Sequence, residues 1–380
     1  MPATQLAGGD TCYLPKPGLQ SLVAALQQEG YTVLGPAVVD GVICLQPIAS
    51  ADDIPRGVVD EQDGGRYRLR EGDPELHFQF AVGPDGPKHY LFPSLLKLFR
   101  LRVEGSRFAI EERAPAPPKL AFLGIRPCEV AAIMVQDRVF GSWEAGTFRC
   151  EADPYYGQAR SAAMILVVNC TRPGDTCFCV SMGTGPAARD GFDLALTELH
   201  GGFVVQVGSP RGAALVQKLP VREPSSTELE LAALRLQLAA SCMGRRLETE
   251  GLPEVLGKAI EHPHWDEVAK RCLGCTNCTQ VCPTCFCSTV VDSTDLTGPG
   301  TTRTRLWESC YTHQFSYTTA GPVRTSIRAR YRHWLRHKLS TWYDQFGVSG
   351  CVGCGRCITW CPVGIDLTVE APAFRVGVKP

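Results

Sequence analysis

The sequence lacks the features that define several large classes of protein. Its charges are balanced, with 38 basic and 39 acidic residues, so no general field favours nucleic acid or an acidic membrane. Its longest apolar run, residues 162–168, is far too short to cross a bilayer. Residues 1–14 have neither the basic start nor the apolar stretch of a signal peptide. We therefore expect a soluble, cytoplasmic protein that binds neither nucleic acid nor a membrane.

Signatures of nucleotide binding and of catalysis are also missing. The Gly-rich segment 181–186 lacks the Gly-Lys-Ser/Thr ending of a P-loop and the third glycine of the Rossmann fingerprint. Gly183 and Gly185 instead allow the backbone to approach a cluster or a partner closely, with a flavin contact as the alternative. No Ser-His-Asp set or pair of carboxylates can be recognised.

Cysteine, by contrast, is abundant, with 19 residues. Two runs, 272–283 and 351–362, share the spacing Cys-x2-Cys-x2-Cys-x3-Cys-Pro. This spacing is typical of two-cluster ferredoxins, in which the cysteine before each proline binds the other [4Fe–4S] cube. The spacing predicts a first cluster held by Cys272, Cys275, Cys278 and Cys361. It predicts a second cluster held by Cys351, Cys354, Cys357 and Cys282.

Two other uses of so many cysteines fit less well. Disulfide frameworks belong to short secreted domains, and this chain is long and has no signal segment. Structural zinc takes four ligands in a closed tetrahedral site, usually as separated Cys-x2-Cys pairs. Two triads, each with its own trailing Cys-Pro, do not match that arrangement, so iron–sulfur binding is the better interpretation.

Four cysteines further upstream predict a third [4Fe–4S] cube. Cys128 lies where a predicted strand turns into a helix, Cys170 ends the following strand, and Cys177 and Cys179 lie on the adjacent loop. The ends of neighbouring strands meet in α/β sheets, which is where such folds bind ligands. The alternative is four buried free cysteines, which behave as small hydrophobic residues. Counting iron atoms distinguishes the two.

The remaining cysteines have no complete ligand set. Cys285, Cys287 and Cys310 are interpreted as thiols that support the cubes, or as a further metal site if His313 or a distant cysteine completes it. The others have no partner spacing and are predicted to be core residues: Cys12, Cys44, Cys150 and Cys242.

The pattern of apolar residues predicts an α+β fold. A mixed α/β domain spans 1–225, a helical bridge spans 226–260, and an α-helical type of two-[4Fe–4S] ferredoxin domain spans 261–380. The predicted strands are 31–39, 42–47, 119–125, 162–168, 193–198 and 203–207. The predicted helices are 19–28, 127–140, 226–247, 265–271 and 323–346, and the leucines of 226–247 are interpreted as ordinary core packing.

Several of these motifs together resemble the β subunit of cytoplasmic NiFe hydrogenases, which are also called sulfhydrogenases or sulfur reductases. The likeness covers most of the chain and is strongest from residue 119 onward. It is carried by Arg126-Pro127-Cys128, Asn169-Cys170, Cys177-Phe178-Cys179, Cys282-Pro283-Thr284-Cys285, Trp307-Glu308-Ser309-Cys310 and the run from Cys351 to Cys357. The A subunit of anaerobic sulfite reductase shares much of this pattern.

The resemblance implies a non-catalytic electron-transfer subunit in a heterotetramer. Its partners would be a flavin subunit that handles NAD(P)H and the small and large subunits of a NiFe hydrogenase. The family's cluster ligands correspond to the eight cysteines assigned above, and the upstream quartet also matches family cysteines. Two alternatives remain open, a sulfite reductase subunit with a sirohaem partner and a metal-stabilised binding or sensing protein without redox turnover.

Overall fold

The computed structural model describes residues 7–105, 107–141, 152–296, 298 and 300–377. It confirms the predicted α+β class, with mixed sheets and helices followed by the cysteine-rich part of the chain. The boundaries of the three predicted segments remain predictions. Within the described residues, no helix is both long enough and apolar enough to span a membrane.

The strands of the described residues are, in chain order, β1 (Thr11–Pro15), β2 (Thr32–Val39), β3 (Val42–Pro47), β4 (Val58–Asp63), β5 (Arg66–Glu71), β6 (Leu95–Glu104), β7 (Arg107–Arg113), β8 (Leu120–Ile125), β9 (Met164–Val168), β10 (Leu194–Leu199), β11 (Gly202–Val207), β12 (Ser288–Thr294), β13 (Gly300–Trp307), β14 (Tyr317–Thr318) and β15 (Gly321–Pro322).

The helices of the same residues are α1 (Gly18–Gln28), α2 (Lys88–Leu91), α3 (Pro127–Phe140), α4 (Pro154–Ala162), α5 (Pro210–Val216), α6 (Ser226–Ser241), α7 (Leu252–Lys258), α8 (His264–Arg271), α9 (Asn277–Gln280), α10 (Ile327–Arg336), α11 (Trp342–Phe346), α12 (Arg356–Thr359) and α13 (Leu367–Ala373). A 3₁₀ turn at Ala51–Asp53 and a π-helical turn at His337–Thr341 complete the set.

A seven-stranded sheet forms the centre of the N-terminal part. Its order is β1-β11-β10-β9-β8-β2-β3, and the four strands β10, β9, β8 and β2 run parallel. Every residue of β8 and β9 is buried, because α1 and α5 cover one face and α3 and α4 cover the other. The predicted strands and the predicted helix over 127–140 are therefore confirmed.

The parallel strands bring cysteines of the upstream quartet to one edge of this sheet. β8 ends at Ile125 and β9 ends at Val168, so the residues that follow them are neighbours. Arg126, which is 2% exposed, donates hydrogen bonds to the carbonyl oxygens of Val168 and Phe78 at 3.4 and 3.0 Å. This buried guanidinium fixes the edge at which Cys128 begins α3 and Cys170 follows β9.

A second sheet contains strands from both parts of the chain. Its order is β12-β13-β6-β7, and β13 pairs with β6 from Gly300 opposite Arg102 to Leu306 opposite Leu95. Strands β12 and β13 lie between the two cysteine runs, where the sequence predicts only the helix over 323–346. Thr and Val are frequent in β12 and β13, and such β-branched residues favour a strand that has a partner.

The helix predicted over 323–346 is shorter and interrupted. It begins at Ile327, where the side chain of Ser326 accepts a hydrogen bond from the N–H of Ala329. A π-helical turn separates α10 from α11, which ends at Phe346. Gly347 is its C-cap and has the left-handed φ of +70° that favours glycine at this position.

Helix α6 differs from its prediction in length and in burial. The capping box of Ser225 and Glu228 is present, but the helix ends at Ser241. Only Ala232 and Ala239 of α6 are buried. The interpretation of its leucines as core packing is wrong, because large apolar side chains on this helix are exposed, namely Leu229, Leu231, Leu234 and Leu238.

Candidate iron–sulfur centres

The first cysteine run encloses a cavity near the surface. Cys272 follows the last residue of α8, and Cys278 lies in the short helix α9. The backbone N–H of Gly274 donates to Cys272 Sγ at 3.4 Å, and that of Ile365 donates to Cys361 Sγ at 3.3 Å. The structure brings together around this cavity the whole set predicted for the first cluster, Cys272, Cys275, Cys278 and Cys361.

Two aromatic residues that line this cavity carry buried polar groups. Among the described residues, the buried hydroxyl of Tyr331 and the buried Nε1–H of Trp334 have no hydrogen-bond partner. Leaving a buried donor unpaired costs about 1–3 kcal/mol. The inorganic sulfides of a cube are acceptors, so these two donors and the four thiols fit a [4Fe–4S] group in this cavity.

The second run lies deeper in the protein. Cys351 is 9% exposed, and Cys354 and Cys282 are each 8% exposed. The N–H of Gly353 donates to Cys351 Sγ at 3.4 Å, the same contact as in the first run. Burial raises the pKa of Cys357 well above its usual value, and the other three thiolates of the predicted set raise it further. The structure therefore brings the second predicted set together as well.

The two runs share one backbone conformation. Gly274 and Gly353 occupy equivalent positions with φ of +65° and +66°. Thr276 and Gly355 occupy the next equivalent pair, with φ of +70° and +76°, and each is the N-cap of the short helix that follows. Left-handed residues of this kind turn successive N–H groups toward one point, where they stabilise anions.

The ligand sets are wider than the coordination shell of one ion. Within the described ranges, no three His, Cys, Asp or Glu side chains converge as the ligands of a single metal ion do. A site for one zinc ion would hold its sulfur ligands within Zn–S bonds of about 2.3 Å. A four-iron cube binds its thiolates at separate corners and needs them further apart.

The upstream quartet also surrounds one small cavity. Cys128, Cys170, Cys177 and Cys179 line it, together with Met243, whose Sδ lies 3.9 Å from Cys179 Sγ. Burial, followed by the neighbouring thiolates of Cys170 and Cys354, raises the pKa of Cys179 to about 12. The structure places these four thiols together, as the sequence predicts, and a third cube there remains a prediction.

This quartet is in contact with the second cysteine run. The N–H of Phe178 donates to the carbonyl of Gly353 at 2.8 Å, and Cys177 Sγ lies 3.8 Å from the carbonyl oxygen of Cys354. A Cβ added to Gly353 would lie 2.7 Å from the backbone of Cys179. The two loops are therefore packed backbone against backbone.

Buried cations surround the second run, and one of them, Lys338, is the last residue of the basic run 324–338. Lys338 is 2% exposed, and its Nζ donates to Cys282 Sγ at 3.2 Å and to the carbonyl of Gly350 at 3.0 Å. Burial opposes its charge, but the Cys282 and Cys285 thiolates raise the pKa of Lys338 well above its usual value. Lys88 is also buried, and it donates to the carbonyl of Gln280 at 3.1 Å.

A third buried cation is part of the second run itself. Arg356 is 2% exposed and donates to Glu129 Oε1 at 2.6 Å and to the carbonyl of Gly83 at 2.6 Å. Glu129 follows Cys128 in α3, so this ion pair connects the second run to the upstream quartet. In the sequence, Lys338 belongs to a basic run and Arg356 interrupts an otherwise uncharged motif, whereas Lys88 belongs to no recognisable motif.

The Gly-rich loop lies beside the upstream quartet. A Cβ added to Gly185 would lie 2.7 Å from Cys179 Sγ, so the predicted close approach of backbone to a cysteine site occurs there. Gly183, with φ of +69°, lines a larger open cavity that Cys351 also borders. The alternative of a flavin contact at these glycines remains a prediction.

The remaining cysteines occupy several environments. Cys287 and Cys310 form a hydrogen-bonded pair, and the thiol of Cys285 donates to Cys282 and holds its pKa well below the usual value. Cys12 is buried in the core as predicted, whereas Cys44 is half-buried. Cys242 is exposed, so its assignment to the core is wrong. Cys150 lies outside the described residues.

The fold and the paired cysteine runs define an iron–sulfur protein with a domain for two clusters. In agreement, residues 271–365 match the family of 4Fe–4S dicluster domains. The sulfhydrogenase 2 subunit beta of Pyrococcus furiosus is 33% identical over 289 residues, which cover 74% of this chain and 83% of that protein. The chain therefore belongs to the sulfhydrogenase β-subunit family. No solved structure matches it.

This membership confirms the resemblance inferred from the motifs and the iron–sulfur class of the protein. The chain is an iron–sulfur electron-transfer subunit.

Proposed function

We propose that this chain relays single electrons between a flavin subunit that handles NAD(P)H and the small and large subunits of a NiFe hydrogenase in the cytoplasm. The name of the Pyrococcus furiosus relative, a sulfhydrogenase subunit, supports the hydrogenase side of this assignment. The observation that carries the proposal is the succession of three cysteine groups. It runs from an exposed cavity, through a buried set, to the quartet at the edge of the central sheet.

In this proposal Cys272, Cys275, Cys278 and Cys361 hold the first cube, and Cys351, Cys354, Cys357 and Cys282 hold the second. The upstream quartet of Cys128, Cys170, Cys177 and Cys179 holds a third. Each bound cube would accept and release one electron at a time. The contact of the Phe178 N–H with the Gly353 carbonyl, at 2.8 Å, supports a continuous path from the second set to the third.

The protein's own residues prepare these sites for negative charge. The N–H groups of Gly274, Gly353 and Ile365 donate to ligand sulfurs, which stabilises the thiolate form. Around the second set, buried Lys338 and Arg356 place positive charge in a water-poor environment, where it acts more strongly than at the surface. Both features favour the reduced form of a centre bound there.

The decisive experiment interrupts the proposed path at its middle. Cys354→Ser should remove the spectroscopic signal of one cube and abolish NAD(P)-linked turnover of the complex. Hydrogen uptake with an artificial dye should remain largely intact, because dyes can receive electrons elsewhere in the complex. Cys242→Ser, at an exposed cysteine outside the three groups, is the matched control and should change neither rate. Unchanged NAD(P)-linked rates in Cys354→Ser would refute the relay.

The metal and haem content of the purified complex tests the number of cubes and the identity of the partner subunits. About twelve iron atoms per chain would support three cubes, and about eight would refute the third, since each cube contains four. Nickel in the complex would support a hydrogenase, whereas sirohaem would identify the sulfite reductase alternative. A sample without reversible bleaching on reduction would indicate the binding or sensing protein instead.

A further inference from the structure

Cys287 and Cys310 lie together at the open end of a hairpin. Strand β12 begins at Ser288 and pairs with Trp307 of β13. One residue beyond that pair, the carbonyl of Cys287 accepts a hydrogen bond from the N–H of Glu308 at 2.8 Å. The chain then turns, so that both the thiol and the backbone N–H of Cys310 donate to Cys287 Sγ. Two strands held in register thus keep the two sulfurs in contact.

The pair lies between the two cysteine runs. On one side, the thiolate of Cys278, a predicted ligand of the first cube, is close enough to raise the pKa of Cys310. The adjacent Ser309 hydroxyl is hydrogen-bonded at 2.7 Å to Thr279 of α9. On the other side, the positive charge of Lys338 helps to lower the pKa of Cys287. The same Lys338 Nζ is 3.2 Å from Cys282 Sγ of the second set.

Neither member of the pair belongs to the proposed cluster ligands. The geometry points to a function for them as a redox-active dithiol: we propose that Cys287 and Cys310 form a reversible disulfide that exchanges two electrons with the two neighbouring cubes. This inference rests on the proposed function, since the cubes supply the electrons. It makes the subunit a converter between one-electron carriers and a two-electron store.

The reaction balances with the groups already named. In the reducing direction, the S–S bond between Cys287 and Cys310 breaks, and each of the two cubes gives up one electron and becomes oxidised. Two protons from solvent complete the two thiols. Cys287 is only half-buried, so water can reach the pair, while Cys310 is 5% exposed and shielded from bulky reagents. Oxidation reverses each of these steps.

The environment of Cys287 suits thiol–disulfide chemistry. The hydrogen bonds from Cys310, together with the charge of Lys338, outweigh burial and lower the pKa of Cys287 to about 7. A thiol with a pKa near the ambient pH is the most effective attacking group in such exchange. Cys285 is a poorer partner, because its thiol donates to the predicted cluster ligand Cys282.

The test measures the oxidation state of each cysteine in the intact, anaerobically purified complex. One sample is oxidised with a dye and another is reduced with dithionite, and both are quenched in acid, unfolded with an alkylating reagent and digested for mass spectrometry. The oxidised sample should contain the 287 and 310 peptides joined by a disulfide. In the reduced sample both cysteines should be alkylated.

Reductive titration gives an independent readout. The wild-type complex should accept two more electrons per chain than either Cys287→Ser or Cys310→Ser, while the absorbance and iron content of the cubes stay unchanged. Cys242→Ser should behave as wild type, because this exposed cysteine has no thiol partner among the described residues. Two variants are used so that a folding defect in one does not prevent the comparison.

Failure of the two proposals can be told apart. If the cubes are present but both cysteines are alkylated in every sample, the disulfide is refuted and the relay stands. If both variants keep their fold but lose iron, the cysteines are cluster ligands, and the inference is again overturned. A colourless sample without iron refutes the relay and, because the proposed electron donors are then missing, the disulfide exchange with it.

Discussion

The two cysteine runs have the same spacing and the same backbone turn, but they lie in different surroundings. In the first, Leu273 is 62% exposed and Cys275 is also exposed. In the second, the equivalent Val352 is 2% exposed, and the equivalent Cys354 is 8% exposed. One motif therefore lies at the surface, where a partner can approach it, and the other lies in the interior.

The charges around the two runs differ in the same way. Near the first, Arg271 is largely exposed and is paired with Glu370 at 2.6 Å, so water and the carboxylate screen its charge. Near the second, Lys338 is buried against Cys282 Sγ, and Arg356 is buried against Glu129. The spacing of cysteines sets the local fold of a site, whereas its surroundings set how strongly the site attracts an electron.

The largest expected effect comes from the buried ion pair of the second run. Arg356→Met leaves Glu129 buried without its partner, which typically costs about 3–5 kcal/mol. Asn277→Ala, at the equivalent position of the first run, removes an exposed hydrogen bond to the Trp360 carbonyl and should cost about 1 kcal/mol or less. Urea unfolding under anaerobic conditions measures both. Equal losses would contradict the difference in surroundings.

A similar contrast is expected for the paired glycines. In Gly353→Ala the new Cβ meets the backbone of Cys179 and Phe178 at 2.7 Å, so overpacking and the left-handed φ together should cost about 2–4 kcal/mol. In Gly274→Ala the nearest atom is Ile327 Cδ1 at 3.9 Å, and only the φ penalty of about 1 kcal/mol remains. The free energy of unfolding and the iron content per chain are the measurements. If Gly274→Ala were the more damaging change, the packing argument would fail.

The buried charge should appear in the reduction potential. Lys338→Met removes a cation beside the second set and should lower the potential of that cube by about 100 mV, for an effective dielectric constant of about 20. Arg271→Met near the first set should shift its cube by a much smaller amount, because that charge is exposed and paired. Potentiometric titration followed by electron paramagnetic resonance separates the cubes. No shift in Lys338→Met would show that water screens this site.

The smallest expected effect concerns Thr276. This β-branched residue has a φ of +70°, where its counterpart in the second run is a glycine. Thr276→Gly should therefore stabilise the protein by about 0.5–1 kcal/mol, since the strain removed exceeds the added flexibility of the unfolded chain. Gly355→Ala is the reciprocal control, because its Cβ would lie 2.5 Å from the oxygens of Thr176. A loss of stability in Thr276→Gly would show that its side chain compensates for the strain.

Local features of the fold were predictable from the sequence. Helix α3 has the predicted limits, because Pro127 starts it and the Glu129 carboxylate accepts a hydrogen bond from the N–H of Arg126 at 2.9 Å. The hairpin turn between β2 and β3 is equally local, because the Asp40-Gly41 pair favours the positive φ that both residues adopt. In each case the determinants lie within a few residues of one another, so a single stretch of sequence contains them.

The remaining features depend on residues that are distant in the chain. Strand β13 pairs with β6, which no local pattern indicates, and the sequence predicts no strand at either place. The burial of Lys338 follows from packing around Cys282 and Gly350, although the helix α10 that precedes it is strongly basic. The exposed leucines of α6 show the same limit, since apolar spacing predicts a helix but does not show what covers it.

The sheet shared by β6 and β13 has a consequence for how the protein can be dissected. A fragment ending at residue 225 would keep β6 and β7 but lose β13, and would expose a row of unpaired N–H and C=O groups along β6. Such an open edge invites neighbouring molecules to add strands and aggregate. The N-terminal part is therefore poorly suited to expression alone, and β6 gains its second partner only after the ribosome has passed residue 307.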